Sequence, residues 1–469
     1  MKNIFYNECL FLLRNRVFLI ILSSFFISLI ITTYFGNIHS KQIINDQRES
    51  KEHIRKQWDD MDPTNPHRAA HFGSYAFKPT NILNSLDEGI NSVTGNVLRL
   101  EGHTQNDVMF SEASQSLEMS KFGKLKPSLI FQTIIPLFLI FISFSSYTSE
   151  RDSGRLKLLI VQGASLKNIV FAKIFCSWCI AVLMLLSTIS VQFLYSSLDY
   201  NIDTIFRLLL FFFSYSMYYF VIICLTVYFS LVFKNSTAAL SSMILIWVLW
   251  SIFLPKISGN LVEKISPLPS RVSMQKLMDD DRSKGIDGHN PSEERESELL
   301  EITLKKYNVK TIEDLPINFT GVIMQADEEY GNLVWDKHFG NLYSKLELQK
   351  FYYQVCGLFN PFISVQNLSM GSTGTDMFHH LDFLYQAENY RRFFIKKLND
   401  EYAFGGSKTG DYGWKAEKKF FQSVKDFNYN FPTLKVSLKK YLLDLIIIFV
   451  WSALLIFLIM KSSKNTDYI

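Results

Sequence analysis

The sequence predicts a mainly α-helical, polytopic membrane protein with six spans and a largely helical mass on one side. Three observations carry that prediction. Apolar residues, 48% of the chain, gather in six blocks, each about 20 residues long, the length at which a helix crosses a bilayer core. The charges, 20% of all residues, collect in the segments between those blocks. The bases of the short connections then fall on a single side of a six-span arrangement.

In chain order, residues 1–16 mix Ile4, Phe5, Leu10, Phe11 and Leu13 with Lys2, Glu8, Arg14 and Arg16, the pattern of an interfacial helix lying along the inner surface. Residues 17–35 carry no charge and form the first span. No small-x-small cleavage pattern follows, which favours a retained span over a signal peptide. Residues 36–126 form a first extracytoplasmic segment, opening on a helical continuation over 41–58 with Glu52 and Lys56 at i,i+4. After Pro63 and Pro66 this segment turns loop-rich. The second span covers 127–147, a short charged connection 148–168, the third span 169–195, the fourth 205–232 and the fifth 238–254. A second extracytoplasmic segment runs over 255–440, the sixth span over 441–460 and a tail over 461–469.

That second segment is long enough to fold as a domain. Asn290-Pro291-Ser292-Glu293 offers a capping side chain, a proline at the first helical position and an acid at the third. Trp335, Phe339, Leu342 and Leu346 recur at helical intervals, as do Phe383, Ala387, Tyr390, Phe394 and Leu398, so two amphipathic helices are expected. Residues 371–376 (GSTGTD) and 404–410 (FGGSKTG) punctuate them as turns.

Orientation follows from Lys2, Arg14, Arg16, Arg151, Arg155, Lys157, Lys167, Lys234, Lys461 and Lys464, which share one side, against Asp199 and Asp203 in the short connection opposite. Both termini are therefore placed in the cytoplasm of a multi-pass cell (inner) membrane protein, with the large domain periplasmic or extracellular. A net charge of +4, from 48 basic and 44 acidic residues, indicates no nucleic-acid partner.

Five cysteines give no disulfide framework, because Cys176, Cys179 and Cys224 lie in apolar runs and only Cys356 lies in a large loop. The CxxC spacing of Cys176 and Cys179 is buried in a hydrophobic helix and reads as inert packing. No GxxxxGK[ST] loop, HExxH or GxSxG occurs, so the chain is not its own ATPase and no catalytic residue is assigned. Charges within the spans reduce to Arg207 and Asp444, each near an outer end where snorkelling is cheap. Pro136 alone is weak evidence for the broken helices of ion-coupled carriers. An external source of energy is implied.

The connection 148–168 is the place to receive it. Leu156, Leu159 and Ile160 share one helical face, Arg151 and Arg155 fall one turn apart, Gly154 and Gly163 let the chain turn, and Ser165 can cap the next helix. Such an element can dock into a cleft of a motor protein, and it can equally be a plain polar connection held at the headgroups by its bases.

Glu150-Arg151-Asp-Ser-Gly154-Arg155-Leu156-Lys-Leu158-Leu159, followed by Ser165, Ile169 and Lys173, resembles the coupling-helix region of bacterial ABC exporter-type permeases with six spans. Their pattern is close to E-R-x-x-G-T-L-x-x-L-L, and Arg155 stands where the family often has Thr. Residues 65–73 (NPHRAAHFG), 100–106 (LEGHTQN), and Gly374-Thr375-Asp376 with His379, Phe383, Ala387, Glu388, Tyr390 and Arg391 are similar to a subfamily with a large split extracytoplasmic domain. The resemblance implies an ABC exporter-type permease fold working as a pair, homodimer or heterodimer, with two cytoplasmic ATPase subunits that bind the ATP and Mg. It also implies that Glu150, Arg151, Gly154, Arg155, Leu156 and Leu159 meet the ATPase, with Lys157 staying at the headgroups.

All nine histidines fall in the two outer segments. His67 and His71 have the i,i+4 spacing of two metal ligands, with His103 and the His379-His380 pair as conceivable partners. No Cys or tight acidic cluster joins them, so polar contacts between the outer segments are expected and no metal or cofactor is assigned to this chain. Glu388, Arg391 and Arg392 read as a salt-bridged, solvated face. The function expected is the transmembrane permease subunit of an ATP-binding cassette transporter. The alternative is a mechanotransmission subunit, in which the same ATPase works through the large domain on an extracytoplasmic protein partner without a transport path.

Overall fold

A computed structural model describes residues 2–106, 108–109, 126–195, 201–288 and 290–464. Among these, six helices are long and apolar enough to cross a membrane: Arg16–Asp59, Pro127–Asp152, Leu166–Leu194, Ile202–Val232, Ser236–Ile265 and Leu434–Ser462, here the first to sixth spans. Asp199, residues 110–125 of the first outer segment and residues 465–469 of the tail lie outside the described residues.

The N-terminal helix Lys2–Arg14 stops where Asn15, in extended conformation, turns its side chain to accept from the Phe18 N–H and start the first span. That span then runs without a break to Asp59. The expected span and the expected charged helix over 41–58 are thus one rod, because nothing between them supplies a proline or a stop signal before Pro63. Asparagine side chains open the fourth span (Asn201), the fifth (Asn235) and the helix Phe319–Cys356 (Asn318) in the same way.

The second and fifth spans each contain a proline, at 136 and 255, and each widens to a π turn just before it, at Ile130–Ile134 and Leu249–Phe253. In the wide turn the Ile135 N–H bonds to the Ile130 carbonyl. The next carbonyl, that of Phe131, would need the N–H of residue 136, which proline lacks. The Tyr219 hydroxyl donates to it instead, at 3.0 Å. The fifth span repeats the arrangement: the Leu254 N–H takes the Leu249 carbonyl, Pro255 cannot serve Trp250, and the Asn360 amide donates to the Trp250 carbonyl at 2.9 Å. Backbone groups at membrane depth have to be satisfied within the protein. These two side chains let the prolines stay.

The fourth span is the centre of the bundle. Its Tyr215, Tyr218 and Tyr219 are buried among Phe131, Phe211 and Phe362. Tyr215 donates to Ser369 at 2.9 Å and receives from Gln132 at 3.1 Å.

The large domain joins the continuation of the first span, the short helix Pro66–Phe72, an antiparallel hairpin (Ser74–Phe77 with Val97–Leu100, Ser74 opposite Leu100) and the helices Arg271–Lys284, Ser292–Tyr307, Phe319–Cys356 and Met377–Phe404. The helix expected at 290–293 starts one residue later than a side-chain cap at Asn290 would set it. Pro291 is the cap residue, and proline has no side chain to cap with. The turn at 371–376 shrinks to Gly374–Asp376, since Pro361–Thr373 is a continuous helix.

The helix Pro361–Thr373 wedges between the fourth and sixth spans with nearly every side chain buried. Arg207 and Asp444 do not snorkel to water. Arg207 is buried, pairs with Asp203 at 2.7 Å, donates to the Pro432 carbonyl at 2.6 Å and lies over the Phe431 ring. Asp444 accepts from Asn367 at 3.0 Å and Gln354 at 2.6 Å. Depth within the protein decides these two charges, and a helix-end position in the sequence carries no such information.

The face expected from Glu388, Arg391 and Arg392 is solvated only in part. Arg391 is 1% exposed and is shared by Glu388 (2.8 Å) and Glu328 (3.0 Å), while Arg392 reaches Asp336 at 2.7 Å. Arg391 is therefore an internal tie between the helices Phe319–Cys356 and Met377–Phe404.

The proline arrangement yields a double-mutant test. Tyr219→Phe leaves the Phe131 carbonyl unpaired and should cost about 1–2 kcal/mol in reversible unfolding in detergent micelles. In a Pro136→Ala background, where residue 136 regains an N–H, the same change should cost about half as much or less.

Candidate functional site

At the end of the second span and in the connection to the third the chain folds as two short helices, Thr148–Asp152 and Arg155–Val161, beside the N-terminal helix. Gly154 between them is left-handed (φ 71), and Gly163 after them is too (φ 90). Nothing lies within 4 Å of a Cβ built at either. Glycine is needed there for backbone direction rather than for space.

Three anchors fix this turn to the bundle. The Ser230 hydroxyl of the fourth span accepts from the backbone N–H of Tyr147 at 3.1 Å and Thr148 at 3.3 Å. Arg151 donates to the carbonyls of Phe233, at 3.4 Å, and Lys234, where the fourth span ends and its carbonyls carry partial negative charge. Glu150 accepts from the buried Lys173 ammonium of the third span at 3.1 Å, and Lys173 also donates to Glu8 of the N-terminal helix at 2.6 Å. Arg155 closes the set, 3.2 Å from Glu150 and stacked over Phe11. Two carboxylates face two cations, so the cluster is neutral as a whole. Ser165 accepts from the Asn168 N–H at 3.3 Å, the cap expected for the third span.

These contacts divide the expected docking residues. Leu156 is 1% exposed and belongs to the core under the turn, and Leu159 and Ile160 pack against that core. The face drawn by their spacing points inward, because the bundle is nearer than solvent and takes the larger apolar surface. Glu150 and Arg151 are engaged in the anchors. Arg155, on the outer side, remains half-exposed. The apolar residues that the turn presents outward are Leu158, 64% exposed, and Val161, 85% exposed, flanked by Asp152 and Lys157. Sequence spacing held a signal for them, since Leu158 and Val161 are also three apart, but a single short helix offers two such faces and only the packing tells them apart.

Cys176 stands 2.9 Å from Cys9 of the N-terminal helix, a further contact between that helix and the third span. His379 and His380 are buried, His379 on Asp376 at 2.5 Å. Burial, and then the Lys78 charge, push His380 down to about 3. His67, His71 and His103, by contrast, are brought together on the large domain, each offering one ligand nitrogen within 4.8 Å of the others.

A family model described as ABC-2 family transporter protein matches residues 2–286. A second, described as a domain of unknown function (DUF3526), matches residues 273–430. Comparison with curated proteins and with solved structures gives no match.

The two faces of the turn should separate in the laboratory. Leu156→Asp buries an unpaired charge and should lower the unfolding free energy of the purified chain by about 3–5 kcal/mol. Leu158→Asp and Val161→Asp, on the exposed face, should each stay within about 0.5 kcal/mol of the parent.

Proposed function

The chain belongs to the ABC-2 family of transporter proteins, and on that premise we propose that it is the transmembrane permease subunit through which ATP hydrolysed by a separate cytoplasmic subunit does work across the membrane. The observation that carries the proposal is the turn at 148–163: an exposed strip of Arg155, Leu158 and Val161 on an element tied to the third span, the fourth span and the N-terminal helix. A motor that grips Leu158 and Val161 in an apolar cleft, with Arg155, Lys157 and Asp152 orienting it, would move these three elements as one. Glu150, Arg151, Gly154, Leu156 and Leu159 then act as positioning residues that transmit the push. The chain itself supplies no nucleotide loop, so its role is non-catalytic.

This reading keeps both termini and the turn in the cytoplasm, and the large domain outside. It gives the permease a second copy or a relative as partner, since two motor subunits require two docking turns.

One observation favours the alternative, mechanical transmission to an extracytoplasmic partner. The fourth span is joined to the turn at one end through Ser230 and Phe233. At the other it is joined to the large domain through Arg207, which donates to the carbonyls of Gly371 at 3.3 Å and Pro432 at 2.6 Å. A displacement entering at the turn therefore reaches the large domain along one helix.

Solubilised membranes containing the tagged chain should yield a co-eluting ABC ATPase. Leu158→Asp combined with Val161→Asp should reduce the ATPase recovered at least about tenfold, a loss of roughly 1.4 kcal/mol or more in association, while the chain itself stays folded. Full recovery of the ATPase with the double variant would remove the proposed docking surface. Reconstituted vesicles that hydrolyse ATP but accumulate no cargo would favour transmission over transport.

A further inference from the structure

We propose that His67, His71 and His103 form a binding site for a late first-row divalent cation, zinc or copper(II), on the large domain, with Glu328 orienting His103. Two of the ligands come from local structure. Asn65 accepts from the His67 N–H at 2.9 Å and starts the helix Pro66–Phe72, which places His67 and His71 on one face with their Nε2 atoms 3.2 Å apart. Two nitrogens bound about 2.0–2.1 Å from a tetrahedral zinc stand about 3.3–3.4 Å apart, so this pair already has the bite of a metal chelate.

The third ligand comes from elsewhere in the chain. His103 follows the strand Val97–Leu100 with its backbone in the left-handed region (φ 63), uncommon for a residue with a side chain. Glu328 holds it there, accepting from its backbone N–H at 2.5 Å and standing 3.1 Å from its Nδ1. Nδ1 is thereby committed to a carboxylate and Nε2 is left to ligate, the arrangement by which protein metal sites fix the tautomer and orientation of a histidine. Glu328 is itself fixed by Arg391. All three ligand nitrogens lie within 4.8 Å of one another, and the His71 ring is exposed.

The Nδ1 of His67 is buried and has no hydrogen-bond partner among the described residues, so the cluster is not a fully satisfied network.

Three imidazoles with no thiolate and no first-sphere carboxylate select zinc or copper(II) and reject calcium and magnesium, which need oxygen ligands. Three protein ligands also leave a fourth position for water or for an external side chain.

The test uses the full chain in detergent, purified through a tag without histidines, stripped with a chelator and loaded with zinc or copper(II) alone. Elemental analysis should find one metal per chain. His71→Ala, whose ring is exposed, should abolish stoichiometric loading without changing the melting temperature of the stripped protein. Glu328→Gln should weaken affinity about 10- to 100-fold in a chelator competition. His53→Ala, an exposed histidine on the first span's continuation, should bind as the parent does. No metal retained by the parent, equal loading of His71→Ala, or displacement of zinc by millimolar calcium would each overturn the assignment.

Discussion

The ammonium of Lys173 is the charge around which the end of the bundle is assembled. A lysine buried in a helix end is costly unless carboxylates meet it, and here they arrive from two different elements, Glu8 of the N-terminal helix and Glu150 of the turn. The N-terminal helix and the turn are both tied to the third span through this one buried ammonium. Ser230 and Arg151 extend the same constraint to the fourth span. The turn is thus the corner of a braced frame, and its outward strip of Arg155, Leu158 and Val161 is the part of the frame left uncovered.

The frame continues across the bundle. The fourth span is stiffened by a core of three tyrosines, and one of them, Tyr219, also closes the gap that Pro136 opens in the second span. At its far end Arg207 binds carbonyls of the large domain, and the wedge Pro361–Thr373 fills the space between the fourth and sixth spans. The large domain is therefore keyed into the spans, and Arg391 with its two glutamates keys its own helices together. The proposed mechanical transmission rests on this direct link between the turn and the large domain.

Much of this was legible in the chain. The six spans stand out because bilayer thickness imposes a length on apolar runs that no other constraint imposes. The turn at 148–163 stood out because it is the one strongly charged short connection. What the sequence withheld is direction and depth. The spacing of Leu156, Leu159 and Ile160 marks a face but is silent on whether that face looks at a partner or at the protein's own core, and the core took it. Arg207 and Asp444 sit near helix ends in the sequence, yet contacts from residues 367 and 432, far along the chain, bury them. His67 and His71 announced themselves by spacing. Of the companions the sequence offered, His103 and the pair His379 and His380, only His103 is brought to them, by a strand hairpin and a glutamate more than 200 residues away, a choice that a linear pattern leaves open.

The central claim, that a cytoplasmic ATPase grips the outward face of this turn, is tested most directly by placing a photo-crosslinking amino acid at Val161 in living cells and identifying what it captures. The account predicts an ABC ATPase joined to position 161 and to position 158. It predicts none joined to the buried position 156 or to Val272 on the large domain. Capture of the ATPase from Val272 but not from Val161, or no ATPase from any position of the turn, would contradict it.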